Sequence, residues 1–138
     1  MIPREQLMLS DYVSWDGEIV QIVELRQDWC IVTKDYKHPQ IQYAEVRYDE
    51  LEAVELTLQM LEDSGFEEYN NTPNKTEAFV LTYEFWGHAP ELIIRRFDFN
   101  EAFLVCDASI QNDLCCITYV HEFQNLLRLL FIKKEIQL

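Results

Sequence analysis

Residues 119–131 carry a stripe of large apolar side chains at helical spacing, and this stripe has to be buried if the chain is to fold. At 100° per residue six side chains fall on one side of a helix: Tyr119, Phe123, Leu126, Leu127, Leu130 and Phe131. Burying them is worth roughly 9–18 kcal/mol gross. We therefore predict a C-terminal helix, capped by Thr118, that covers a sheet. The opposite, polar face is predicted to hold His121, Gln124, Asn125 and Arg128.

The N-terminal third consists of short strand-like segments separated by turns. Asp16-Gly17 suits the positive φ angles of a type I′ hairpin turn between two of these segments. Four strands are predicted, at Tyr12–Trp15, Glu18–Leu25, Trp29–Thr33 and residues 40–48. Strands of this length and spacing favour a small curled antiparallel sheet, or partial barrel.

The remaining chain reads as a short helix followed by a meander. Thr57 is the predicted N-cap of the helix, Leu61 lies on its apolar side, and Gly65 suits the left-handed position after its end. Polar residues 70–75 form either a subdomain boundary or a hairpin loop. Period-2 alternation and turn signals then predict strands at residues 79–86, 92–98, 103–106 and 114–117.

These segments together predict an α+β fold. It comprises a small curled N-terminal antiparallel sheet (partial barrel), a short helix, and an antiparallel meander covered by the C-terminal helix. At 138 residues the chain is near the commonest domain size. We expect a single domain over residues 1–138, with residues 1–56 and 57–138 as candidate subdomains.

Motifs that carry catalysis or bind cofactors are not visible in the sequence. Phosphate-binding loops need several glycines at fixed spacing, whereas Gly17, Gly65 and Gly87 are scattered. The cysteine and histidine spacings match no metal site. We predict no catalytic residue, no metal and no cofactor, and consider enzyme activity the less favoured interpretation.

The four cysteines lie in apolar, strand-like stretches: Cys30, Cys106, Cys115 and Cys116. Packed, reduced thiols are the simplest interpretation, and they favour a cytoplasmic location. The alternative is that Cys30 or Cys106 pairs with a distant histidine as a nucleophile. No secretory signal or membrane-spanning segment is predicted.

Acidic side chains outnumber basic ones, 25 to 11, giving a formal net charge of −14. Residues 1–69 hold 16 acids and 5 bases, whereas residues 70–138 hold 9 and 6. Such a field repels phosphate backbones and anionic lipid, so we expect no direct binding to nucleic acid or to a membrane. The candidate acidic patch consists of Glu45, Asp49, Glu50, Glu52, Glu55, Glu62 and Asp63. It is either a solvated coat, a surface that attracts a basic partner, or an imitation of a nucleic-acid backbone.

Three other residues are candidate binding groups. Trp86 and His88 fall at a predicted hairpin tip, where they form a small recognition patch or, alternatively, a packed tryptophan beside an exposed histidine. His121 on the last helix is either a ligand-binding group or part of an ordinary polar face. Leu129 and Ile132 lie outside the apolar stripe and are candidates for self-association.

Two stretches carry a family resemblance. The first runs from Tyr48-Asp49-Glu50-Leu51 through Leu56-Thr57 to Gly65-Phe66, and the second is Tyr119-Val120-His121 followed by Gln124-Asn125-Leu126. They resemble segments of an uncharacterised family of short acidic proteins from gut Bacteroidetes that are often carried on prophages or other mobile elements. Phe123 stands where leucine is usual in that family, and Leu9-Ser10-Asp11 departs from its glycine-asparagine. The resemblance implies a cytoplasmic location, and it does not suggest an enzymatic activity because none is established for the family.

These observations support three hypotheses for function. The first is a non-enzymatic protein that binds another protein or itself, as an accessory factor of a phage or mobile element. The second is an acidic nucleic-acid mimic that inhibits a DNA-binding protein. The third is a small hydrolase or ligand-binding domain with a pocket between the curled sheet and the meander.

Overall fold

The computed structural model describes residues 1–35, 42–68, 77–82, 91–96, 102–107 and 112–138. The chain forms two compact units. The first unit comprises residues 1–55 and 119–125, and the second comprises residues 56–118 and 126–138. Each unit holds one antiparallel sheet whose strands follow one another in chain order, so the predicted α+β class is confirmed.

The sheet of the first unit has four strands. They are β1 (Tyr12–Trp15), β2 (Glu18–Leu25), β3 (Trp29–Thr33) and β4 (Tyr43–Arg47). Asp16 and Gly17, with φ angles of 52° and 76°, form the predicted turn between β1 and β2. Because the order is β1-β2-β3-β4, with β1 and β4 at its edges, the sheet is open and does not close into a barrel.

The core of the first unit forms between alternating strand residues and the segments that flank the sheet. Its fully or nearly buried members are Ile2, Leu7, Val13, Val20, Ile22, Cys30, Val32, Val46, Tyr48 and Leu51. Tyr48 was predicted to end the fourth strand, but it begins a 3-10 helical turn, Tyr48–Glu50. Its hydroxyl donates to the Arg26 carbonyl at 2.6 Å, which satisfies the one polar atom of this side chain.

The short helix α1 (Leu58–Asp63) of the second unit is capped as the sequence predicts. The Thr57 hydroxyl accepts a hydrogen bond from the Met60 N–H at 3.2 Å. At the other end, Gly65 has φ 83°, and its N–H donates to the Glu62 carbonyl while that of Phe66 donates to the Leu61 carbonyl. This pair of bonds is a Schellman motif, and Phe66 is buried against the unit as its apolar residue.

The sheet of the second unit is the predicted meander with one additional strand. Its strands are β5 (Glu67–Glu68), β6 (Glu77–Thr82), β7 (Glu91–Arg96), β8 (Phe103–Asp107) and β9 (Asn112–Ile117). In β7 three consecutive side chains, Leu92, Ile93 and Ile94, are buried. Since successive side chains point to opposite faces, both faces of the sheet are covered at β7.

The C-terminal helix α2 (Val120–Leu129) begins later than its sequence predicts. The predicted cap, Thr118, is still in extended chain, where its carbonyl accepts from the Leu56 N–H at 2.9 Å. The N-cap position therefore falls on Tyr119. Glu122, three residues on, accepts a hydrogen bond from the Tyr119 N–H at 3.1 Å, which is the reciprocal half of a capping box.

The end of α2 also differs from the sequence prediction. Phe131, expected on the buried stripe, has φ 59° and is 77% exposed. Its N–H donates to the Arg128 carbonyl, and that of Ile132 donates to the Leu127 carbonyl, forming a second Schellman motif. Because Ile132 takes the apolar position of that motif, it is buried and not a surface residue as predicted.

Burial varies along α2. Val120 and Phe123, which belong to the first unit, are buried, and so is Leu127, which belongs to the second. Leu126 and Leu130 are partly buried. Within the part of the chain that the structure describes, no helix is long and apolar enough to cross a membrane.

Candidate functional site

An open cleft of about 400 Å³ lies within the first unit. Its lining combines the N-terminal segment, the extended chain after the 3-10 turn, and the start of α2. The lining residues are Met1, Ile2, Pro3, Gln6, Glu52, Ala53, Glu55, Tyr119 and His121. The volume falls within the range of small-molecule and side-chain pockets, roughly 300–1,000 Å³. The hypothesis of a pocket between the two sheets did not anticipate this position.

His121 is the most unusual residue of the cleft. It lines the cleft but is only 1% exposed, and neither Nδ1 nor Nε2 has a hydrogen-bond partner among the described residues. Buried polar atoms are normally paired, because an unpaired donor or acceptor costs about 1–3 kcal/mol. The prediction of an exposed polar helix face is therefore wrong for His121.

The polar face of α2 is covered by the first residue of β1 and by the chain before it, to which it is hydrogen-bonded. Gln124 accepts from the Tyr12 N–H at 2.9 Å and donates to the Ser10 carbonyl at 3.1 Å. Asn125 donates to the Gln6 carbonyl at 2.9 Å. These amides hold the N-terminal chain against the helix, so the start of α2 is buried on more than one side.

Glu52 and Glu55 stand at the cleft on backbone that is itself held in place. Glu52 exchanges two backbone hydrogen bonds with Ser14, at 2.8 and 2.9 Å. Glu55 pairs with Tyr119 in an isolated antiparallel bridge, beside a 2.8 Å bond from the Val120 N–H to the Val54 carbonyl. Both glutamates are exposed. Their carboxylates thus extend into solvent from fixed positions.

The electrostatics at His121 favour the neutral imidazole. Burial lowers the pKa of His121 below its ordinary value of 6.5, while the charges of Asp11 and Glu122 act in the opposite direction. The ring lies 5.9 Å from that of Tyr119, centroid to centroid, and nearly parallel to it at 10°. A neutral imidazole presents one N–H donor and one lone-pair acceptor.

This lowered pKa predicts a loss of stability on mild acidification. Below pH 6.5 the unfolded chain protonates His121 while the folded protein still excludes the proton. Stability is therefore complete above 6.5 and declines as the pH falls toward the folded pKa, at a slope of at most about 1.4 kcal/mol per pH unit. Urea unfolding at pH 7.5 and 5.5 measures the change.

The matched variant is His121→Gln, which keeps a polar side chain but cannot titrate. His38 and His88 are present in both proteins, so their contributions cancel. We expect the wild type to lose more stability between the two pH values than the variant does. Equal losses would contradict the assignment.

The other predicted site residues are distributed as follows. Trp86 and His88 lie outside the described residues, so their recognition patch stays a prediction. All members of the acidic patch are exposed. Five belong to the first unit, Glu45, Asp49, Glu50, Glu52 and Glu55, and two belong to the second, Glu62 and Asp63. Among the described ranges, no group of three or more His, Cys, Asp or Glu side chains could hold a metal ion.

The four cysteines are thiols and do not form disulfides, but they differ in environment. Cys30 and Cys106 are buried as predicted, whereas Cys115 is partly buried and Cys116 is exposed. Burial raises the pKa of the Cys30 thiol to about 11, so at neutral pH it remains a protonated, weakly nucleophilic thiol. Packing accounts for Cys30 better than the alternative of a catalytic nucleophile.

Comparison of the chain with protein-family models, with curated proteins and with solved structures finds no match. The residues of the cleft and its surroundings are therefore the basis for assigning a function.

Proposed function

We propose that this protein is a non-enzymatic binding protein whose first unit captures a positively charged protein partner. The observation that carries the proposal is an open cleft whose lining includes residues from an acidic part of the sequence. We define the acidic segment as Glu45, Asp49, Glu50, Glu52 and Glu55; two of its residues, Glu52 and Glu55, line the cleft.

The charge of the acidic segment is poorly compensated by its own residues. Residues 45–55 hold five acids and one base, Arg47. The Arg47 guanidinium already pairs with Asp49, Nη2 to Oδ2, at 2.7 Å. Exposed charges of one sign attract an oppositely charged protein and accelerate its encounter.

Hydrogen bonding and strand pairing fix the backbone of the acidic segment. Glu45 lies on β4 opposite Ile31. Glu50 accepts a hydrogen bond from the Arg47 N–H at 3.0 Å, which holds the 3-10 turn. A surface with a fixed charge pattern loses less entropy when it binds than a flexible one does.

The resemblance to short acidic proteins of gut Bacteroidetes supports an accessory role for a phage or mobile element. On that proposal the partner is a basic protein in the cytoplasm of the host cell. The nucleic-acid mimic is a narrower hypothesis, in which the partner is a DNA-binding protein. Competition by duplex DNA for the same partner would distinguish it from the broader proposal.

A binding assay with a labelled lysine- and arginine-rich peptide tests the proposal. Fluorescence anisotropy at low and at physiological salt gives the dissociation constant. Neutralising two residues outside the cleft, with Glu45→Gln and Asp49→Asn together, is expected to raise that constant roughly three- to tenfold.

The matched control is Glu62→Gln with Asp63→Asn. It changes the net charge by the same amount, on exposed residues of α1 in the second unit. We expect less than a twofold effect from this control. Equal effects from both pairs would mean that only diffuse charge attracts the peptide, and the proposal would be rejected.

A further inference from the structure

We infer that the cleft of the first unit is an anchor site for one cationic side chain of the partner, an arginine guanidinium or a lysine ammonium. The inference rests on the proposed function and adds to it the group that is recognised. It is carried by His121, a buried side chain that lines the cleft and has no internal partner for either ring nitrogen.

The unpaired imidazole indicates a missing ligand because its burial is otherwise costly. His121 has given up its hydration without gaining a hydrogen bond from any described residue. A ligand in the cleft that reached a ring nitrogen would restore such a bond. The new hydrogen bond would favour binding because the imidazole has already lost its hydration.

The hydrogen-bonding groups around the cleft favour a ligand that donates. The Glu52 and Glu55 carboxylates accept hydrogen bonds and donate none, and the neutral His121 ring contributes a lone-pair nitrogen. Guanidinium and ammonium groups are donors only, and they carry the charge that the two carboxylates attract. An anionic ligand would instead face both glutamates.

Tyr119 adds a surface suited to the same ligand. Its ring is nearly parallel to that of His121, and both line the cleft. Guanidinium groups stack on aromatic faces, and cations in general are attracted to them. The lining also includes the apolar residues Ile2, Pro3 and Ala53, which suit the aliphatic stem of an arginine side chain.

The main chain that carries the two glutamates and Tyr119 is held in position before any ligand arrives. The main chain of Glu52 is tied to Ser14, and that of Glu55 to Tyr119. The backbone positions from which the two carboxylates extend are therefore defined. Such preorganisation reduces the entropy lost on binding.

Titration of the full chain with N-acetyl-arginine methylamide tests the inference directly. The readout is the pair of ring nitrogen resonances of His121 in ¹H–¹⁵N NMR spectra, assigned with the His121→Gln variant. We expect a saturable shift of both resonances. The uncharged isostere N-acetyl-citrulline methylamide should give no saturable shift.

Matched variants show whether the cleft carboxylates are responsible. Glu52→Gln with Glu55→Gln should weaken binding of the arginine probe on the order of tenfold. Glu62→Gln with Asp63→Asn, the same change of charge in the second unit, should change it less than twofold. The backbone amide spectrum of each variant establishes that it is folded.

The outcomes separate the anchor site from the proposed function. Absence of a saturable His121 shift, or equal shifts with citrulline, would overturn the anchor site. If the basic peptide still binds and depends on Glu45 and Asp49, the proposed function stands without the anchor. If neither the peptide nor the arginine probe binds, both are wrong.

Discussion

Phe123→Ala is expected to lower the free energy of unfolding by roughly 3–5 kcal/mol, a large part of the stability of a domain this size. Phe123 is fully buried on α2. Its truncation loses the free energy of transferring the phenyl ring from water to the core, and it leaves a cavity. Chemical denaturation followed by circular dichroism measures the loss.

The control for this substitution lies eight residues further along the chain. Phe131→Ala makes the same chemical change at a side chain that is 77% exposed, and we expect an effect within about 0.5 kcal/mol. Both phenylalanines belong to the apolar stripe seen in the sequence. Similar losses from the two variants would show that α2 does not end at Leu129 as described.

Asp11→Ala is expected to cost roughly 2–4 kcal/mol, because it removes a buried carboxylate that joins the N-terminal chain to α2. The Asp11 side chain is fully buried. Its Oδ2 accepts from the Met8 N–H at 2.8 Å and from the Asn125 amide at 3.4 Å. Without the carboxylate, these donors lose a partner inside the protein.

The comparison for Asp11→Ala is Asp49→Ala. Asp49 is an exposed aspartate of the same unit whose contact with Arg47 is also exposed, so its loss should cost less than about 1 kcal/mol. Urea unfolding at pH 7.5 gives both values. If Asp11→Ala is no more destabilising than Asp49→Ala, the carboxylate does not hold the N-terminal chain.

Local signals were sufficient to predict the elements bounded by strong turn and cap residues. The strands β1, β2 and β3 have the predicted bounds. Asp16-Gly17 permits only a tight turn between the first two strands, and Thr57 and Gly65 each satisfy orphan backbone groups of α1. In these places a residue's own conformational preference determines the structure.

Features that depend on distant partners were not predictable in the same way. The strand β5 consists of two glutamates, and nothing in Glu67-Glu68 marks it before it pairs with Val80 and Phe79 of β6. The start of α2 shifts because Thr118 and Tyr119 pair with the chain at Leu56 and Glu55. Long-range pairing overrides a local cap preference here.

The burial of His121 in the candidate site likewise could not be predicted from local sequence signals. Helical periodicity places His121 opposite the apolar stripe, and on a helix buried from one side that position is exposed. The neighbouring amides of Gln124 and Asn125 are a signal in retrospect, because adjacent amide side chains can satisfy the backbone of a second covering segment. Periodicity alone does not reveal that such a segment exists.

The pairing of Ser14 with Glu52 has a consequence for behaviour at high concentration. The outward-facing N–H groups of β1 are already used, since Ser14 bonds to Glu52 and the Tyr12 N–H donates to Gln124. An incoming extended chain finds these N–H donors already paired, which disfavours fibrillar stacking or domain swapping at this edge of the sheet.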